Sequence, residues 1–218
     1  MLPRPDLTLE REWAAHGLVC GVDEAGRGPW AGPVSAAAVI LDPDHLPDGL
    51  NDSKVLSEIA RHEAEADIKA QAVCWSVAFA TVEEIDRLNI LRATELAMRR
   101  AVQGLAHCAA LALIDGNHAL DVGCRSVAVI KGDAKSASIA AASILAKTAR
   151  DRLMHELEDE HPGYGFARHK GYGVPLHRQA LDRLGPCAQH RRSFAPIRYL
   201  LQSGGTEHRR MGMPSLVK

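Results

Sequence analysis

The chain has 218 residues, 46% of them hydrophobic and 24% charged, with a net charge of −1. That is the make-up of a soluble globular protein with one large domain or one domain with a small appendage; no apolar run is long enough to cross a bilayer, and the amino-terminal MLPRPDLTLERE lacks the apolar centre of a signal peptide. Charge is uneven, with 11 Lys and Arg against 19 Asp and Glu in residues 1–130 (−8) and 15 against 8 in residues 131–218 (+7), which suits either a polyanionic substrate or two halves that attract each other.

The five cysteines, Cys20, Cys74, Cys108, Cys124 and Cys187, are odd in number and form no Cys-x-x-Cys pair. This excludes a disulfide framework and a zinc site of the usual spacing, and fits a reducing, cytoplasmic compartment. Cys20 and Cys74 sit in apolar runs and read as small core residues.

In chain order, residues 1–17 form a polar lead-in. Residues 18–22 predict a buried strand. It delivers Asp23 and Glu24 to a glycine-rich turn containing Gly26, Arg27 and Gly28. Two carboxylates beside a turn that lets the main chain approach closely suit a hard cation next to a substrate. Strand side chains alternate between faces. Either the strand bends at this point, or one of the two acids points away. Residues 34–41 predict a second strand, antiparallel to the first. Asp52, Ser53 and Lys54 then precede a helix capped by Ser57 and running to about residue 71. They read either as a phosphate grip at a helix start or as ordinary capping with a solvated lysine.

Residues 73–80 predict a third strand. Thr81 and Glu84 form a capping box that opens a helix to about residue 107, with Ile85, Leu88, Leu91, Leu96 and Leu105 as its apolar face. Residues 109–114 predict a fourth strand, which runs into Asp115 and Gly116. Residues 126–130 predict a fifth, closed by Lys131, Gly132 and Asp133. Strand ends that each present an acid suggest convergence on a cation, as at the carboxyl edge of open α/β sheets. From residue 136 a helix rich in alanine and serine predicts tight packing on a sheet. Ser143 and Lys147 share one of its faces. Lys147 and Arg150 read either as functional cations or as solvated helix charges.

Residues 161–173 gather Tyr164, Phe166, Arg168, His169, Lys170 and Tyr172. Such a cluster suits stacking on bases and contact with phosphates, or else a loop tied down by core aromatics. Pro175 predicts the start of a short helix that Gly185 ends. Residues 189–194 offer a second basic and aromatic patch, and residues 202–218 read as a disordered tail.

Taken together, Gly21-Val22-Asp23-Glu24-Ala25-Gly26-Arg27-Gly28-Pro29, Asp52-Ser53-Lys54, Ile114-Asp115-Gly116-Asn117, Lys131-Gly132-Asp133 and His169-Lys170-Gly171-Tyr172-Gly173, in this order, resemble bacterial ribonuclease HII. The resemblance runs from about residue 18 to residue 198. It implies an α/β RNase H-like fold: a mixed five-stranded sheet flanked by helices, with a helical carboxyl-terminal region in one catalytic domain over residues 18–201.

It also implies cleavage of the RNA strand of RNA–DNA hybrids and incision at single ribonucleotides in duplex DNA. The enzyme would act as a monomer with Mn²⁺ or Mg²⁺. Asp23, Glu24 and Asp115 would be metal ligands, with Asp133 as a fourth catalytic acid. Gly26, Arg27 and Gly28 would detect the 2′-hydroxyl, and Tyr172 would stack on the sugar beyond the ribonucleotide. Ser53, Lys54, Ser143 and Lys147 would contact phosphates. Two-metal hydrolysis would leave 5′-phosphate and 3′-hydroxyl ends. Val55 and Val174 depart from the family pattern, the first removing a cation beside Lys54. The competing readings are a junction resolvase of the same architecture and a non-catalytic nucleic-acid-binding module.

Overall fold

The computed structural model describes residues 4–51, 53 and 55–202. It forms two units, one comprising the chain to Arg27 with Pro33–Arg152, the other Gly28–Gly32 with the chain from Leu153.

The first unit is built on five strands: β1 (Val19–Ala25), β2 (Val34–Ile40), β3 (Cys74–Ala80), β4 (Leu111–Asp115) and β5 (Arg125–Val129). Their order is β3-β2-β1-β4-β5. The β1–β2 and β2–β3 pairs are antiparallel, whereas β1–β4 and β4–β5 are parallel. The sheet is therefore mixed, as the resemblance implies. Both faces of β1 and β2 are covered, which is why they read as near-continuous apolar runs. Cys20 and Cys74 are buried in it as expected.

Cross-strand register decides which residues share a face. Gly21 and Asp23 of β1 lie opposite Val39 and Ala37 of β2. That face is filled by α2 (Glu58–Gln71) and α5 (Ala137–Glu160), whose Ala64, Ile68, Ala140, Ala141 and Ile144 cluster with Ala37 and Val39. Ser57 caps α2 by accepting the Ala60 N–H, and Ser136 caps α5 by accepting the Ile139 N–H at 3.1 Å. The helix–sheet approach is so close that a Cβ on Gly21 would overlap the α5 backbone at Ser138 and Ile139. The amino-terminal lead-in carries α1 (Thr8–Trp13). Its Glu10 accepts the Ser136 hydroxyl at 2.6 Å and the Ser138 N–H at 2.9 Å, tying this segment to the start of α5.

The single helix expected from residue 81 to about 107 is two: α3 (Val82–Leu88), with its capping box, and α4 (Ile90–Gln103). Asn89 separates them at φ 69°. Its Oδ1 accepts the N–H groups of Leu91 at 3.0 Å and Arg92 at 3.2 Å. Asparagine both tolerates positive φ and caps, so one residue ends α3 and starts α4. The break rotates the buried face. α4 runs along β1, β2 and β3 with Ala93, Ala97, Met98 and Ala101 inward, and leaves Leu91 exposed. Asn89→Ala, which loses both properties, is expected to cost about 2 kcal/mol in urea unfolding.

The second unit holds α6 (Phe166–His169), α7 (Pro175–Leu184) and α8 (Ala195–Gln202). Met154, Tyr164, Phe166, Leu181 and Ile197 form its core. Pro175 opens α7, and Gly185 ends it at φ 72°. The aromatic loop of residues 161–173 is mostly tied down rather than presented. Tyr164 and Phe166 are buried and stacked 5.2 Å apart, and His169 is buried, whereas Tyr172 is 47% exposed. Residues 189–194 are likewise no uniform surface patch. His190 and Arg191 are buried, and Arg191 Nε donates to the Gly32 carbonyl at 2.9 Å. The tail expected from residue 202 does not include Gln202, which ends α8; residues 203–218 lie outside the described residues. Among the described residues, no helix is long and apolar enough to cross a membrane.

Candidate metal centre

β1 extends through Ala25, so Asp23 and Glu24 both lie within the strand and alternation holds. Asp23 takes the face covered by α5 and is 3% exposed. Glu24 faces the other way and accepts from Arg27 Nη1 at 3.2 Å. Of the two possibilities left by the sequence, the strand does not bend to unite the acids.

The parallel pairing of β1 and β4 then supplies the second carboxylate. The register that sets Gly21 beside Leu113 and Val22 beside Ile114 brings Asp115 level with Asp23. The third acid arrives after β5, where Lys131 takes a left-handed φ of 54° into a short 3-10 turn, Gly132–Ala134. The Gly132 N–H donates to Asp115 Oδ1 at 2.7 Å, which orients that carboxylate and carries Asp133 to it. One oxygen from each of Asp23, Asp115 and Asp133 lies within 4.8 Å of the others. Glu24 is outside that trio.

Burial pushes the Asp23 carboxyl well above its usual range, and the charges of Glu24 and Asp115 push it the same way. The Ser143 hydroxyl and the Glu24 N–H, 2.7 Å from Oδ1, act in the opposite direction. Carboxylates crowded like this repel unless a cation lies among them, and an all-oxygen donor set fits Mg²⁺ or Mn²⁺ rather than softer metals.

The residues expected at phosphate groups are placed as follows. Ser143 hydrogen-bonds Asp23, and Ser53 Oγ lies 2.9 Å from Ser143 Oγ. Both serines are buried. With its proton committed to the carboxylate, the Ser143 hydroxyl accepts from Ser53, and the pair backs Asp23. Lys147 Nζ donates to both Asp151 oxygens, at 2.6 and 2.7 Å, so it is a helix charge paired along α5 rather than simply solvated. Asp52 and Lys54 lie outside the described residues.

Arg150 is not solvated. It is 1% exposed and its Nε donates to the Pro33 carbonyl at 3.0 Å. Gly26, at φ 93°, has no space for a Cβ because the Arg150 side chain occupies it. A signal for this burial was present: Arg150 lies one turn after Ala146 on a helix otherwise lined by small residues. In the second unit, a Cβ on Gly28 would meet Tyr172 Cε1 at 3.6 Å, so the last glycine of the turn lies against the exposed tyrosine ring.

The sequence family described as Ribonuclease HII matches residues 20–197. A ribonuclease HII of Caulobacter vibrioides is 59% identical over 201 residues, spanning 92% of this chain and 95% of the relative. One from Bordetella pertussis is 59% identical over 181 residues, 83% and 90% of the two chains. Among solved structures, the ribonuclease H2 of Pyrococcus horikoshii OT3 superposes with a TM-score of 0.71 at 25% identity, covering 85% of this chain and 97% of its own.

Proposed function

The chain belongs to the ribonuclease HII family, and on that premise we propose that it cleaves the RNA strand of RNA–DNA hybrids and incises duplex DNA at single ribonucleotides. It is an endonuclease of the hydrolase class, as the family is. The observation that carries the reading is the carboxylate trio of Asp23, Asp115 and Asp133, brought together from β1, the end of β4 and the turn after β5.

In this reading Asp23 and Asp115 would hold Mn²⁺ or Mg²⁺, Asp133 would complete the trio, and Glu24, although it faces away from that trio, would lend the fourth carboxylate. Such ions, when bound, supply Lewis acidity to phosphodiester hydrolysis that leaves 5′-phosphate and 3′-hydroxyl ends. Ser143 and Ser53 orient Asp23 from behind. Arg150 fills the space beneath Gly26 and so fixes the turn that carries Arg27 and Gly28. Choosing RNA over DNA requires reading the 2′-hydroxyl, which both donates and accepts. The main chain of Gly26, Arg27 and Gly28 is suited to that contact. The Tyr172 ring stacks on the sugar that follows. The protein works as a monomer.

The test is a duplex carrying one ribonucleotide, incubated with Mn²⁺, with Mg²⁺ or with chelator. Incision beside the ribonucleotide is expected with a divalent ion and none with chelator. A protein that ignores the ribonucleotide and cuts four-way junctions is a resolvase, and one that binds without cutting is a binding module. Tyr172→Ala is expected to reduce incision at the isolated ribonucleotide by about tenfold, the worth of one stacked ring, and to reduce cleavage within a long hybrid far less. Equal losses on both substrates would remove the junction role.

A further inference from the structure

We propose that a chain of hydrogen-bonded imidazoles, from His190 through His177 to the Tyr172 carbonyl, fixes the tyrosine that reads the ribonucleotide junction, and that His177 and His190 are positioning residues for that recognition. The inference rests on the reading of Tyr172 given above.

The tautomers follow from the partners. His177 Nδ1 lies 3.0 Å from the Tyr172 carbonyl oxygen, which can only accept, so Nδ1 carries the proton. His177 Nε2, 3.0 Å from His190 Nε2, must then accept, and His190 donates through Nε2. His190 Nδ1 is left as an acceptor, and the Cys187 N–H donates to it at 2.9 Å. A main-chain amide therefore sets the polarity at one end of the chain, and a main-chain carbonyl receives it at the other.

A third histidine, His169, secures the other side of Tyr172. The Gly171 N–H donates to His169 Nδ1 at 3.1 Å, which leaves Nε2 to donate to the Tyr164 carbonyl at 2.8 Å. The His169 carbonyl accepts the Tyr172 N–H at 2.9 Å. The His169 and His177 rings stack with centroids 4.4 Å apart. Both main-chain polar groups of Tyr172 are thus held, while its ring is half exposed.

Each imidazole spends one donor and one acceptor, so each is neutral. A further proton on His177 or His190 would set two N–H groups against each other. Burial agrees: it pushes His190 down to about 3 and His177 to about 4, with the neighbouring histidines adding to both shifts. The chain lies among the core aromatics Tyr164 and Phe166, a setting in which hydrogen bonds are directional and costly to leave unmade.

Long-range ¹H–¹⁵N correlation on the full chain at pH 7 reads the tautomers directly. The expected result is protonation at Nδ1 for His177 and at Nε2 for His190. In the incision assay, His177→Asn, whose amide N–H can replace Nδ1–H, should stay within about threefold of the parent at an isolated ribonucleotide. His177→Gln, whose amide instead replaces Nε2, should lose about tenfold there, the worth of one hydrogen bond, with long-hybrid cleavage nearly unchanged. A His177 protonated at Nε2, or a His177→Gln variant with parental incision, overturns the proposal. Tyr172→Ala separates the two possible failures. If it spares the isolated ribonucleotide, the reading of Tyr172 is wrong; if it does not while His177→Gln does, the imidazole chain is.

Discussion

Asp23→Asn is expected to lower cleavage by on the order of 10³-fold or more, as loss of a group acting at the reacting centre does, and at the same time to stabilise the protein in chelator. The two effects share one cause. Asp23 is buried beside Glu24 and Asp115, and its carboxyl is held well above its usual range. A carboxyl whose folded pKa is raised contributes full stability below its unfolded value of 3.8 and loses it as pH rises through the folded pKa. At neutral pH without metal the Asp23 carboxyl therefore costs stability that Asn does not. Thermal melts in chelator should show the variant above the parent at pH 7, with the gap closing near pH 4. Added Mn²⁺ should raise the parent more than the variant, because only the parent keeps every carboxylate proposed to hold the ion. If the variant melts lower than the parent in chelator at every pH, crowding of the acids is not what governs this site.

The second large effect is on the fold. Gly21→Ala is expected to destabilise by about 3 kcal/mol, the upper part of the range for overpacking, because its Cβ would enter the α5 backbone rather than a movable side chain. Gly49→Ala provides the contrast. Gly49 sits at φ 73° with nothing within 4 Å of an added Cβ, so only backbone strain of about 1 kcal/mol is expected. Urea unfolding of both variants in chelator measures the difference. Since α5 also carries Ser143, which hydrogen-bonds Asp23, Gly21→Ala should impair cleavage under conditions where it is still folded. Equal destabilisation by the two substitutions would mean that α5 can retreat from the sheet.

Local chemistry made much of this protein legible. The five strands, the Ser57 cap, the Thr81–Glu84 capping box and the Pro175–Gly185 helix all depend on a few neighbouring residues, and the structure has each of them. Asn89 was legible in principle, since its capping chemistry is local, yet the apolar spacing on either side of it imitates one continuous helix. Arg150 left only a faint local signal, the small residues around it on α5, and His177 and His190 left none. A charged or titratable side chain announces a solvated surface until the groups that surround it are known, and those groups come from residues far along the chain.

By itself the sequence determined that acids stand at the ends of three strands, that a glycine-rich turn follows the first, and which family these segments resemble, because strand propensity, turn chemistry and residue identity are properties of short stretches. Only the tertiary structure decided that Asp23 joins Asp115 and Asp133 while Glu24 turns to Arg27, that Ser53 and Ser143 stand behind Asp23, and that three buried histidines hold Tyr172. Those outcomes depend on strand register and on which faces meet, which long-range pairing alone specifies.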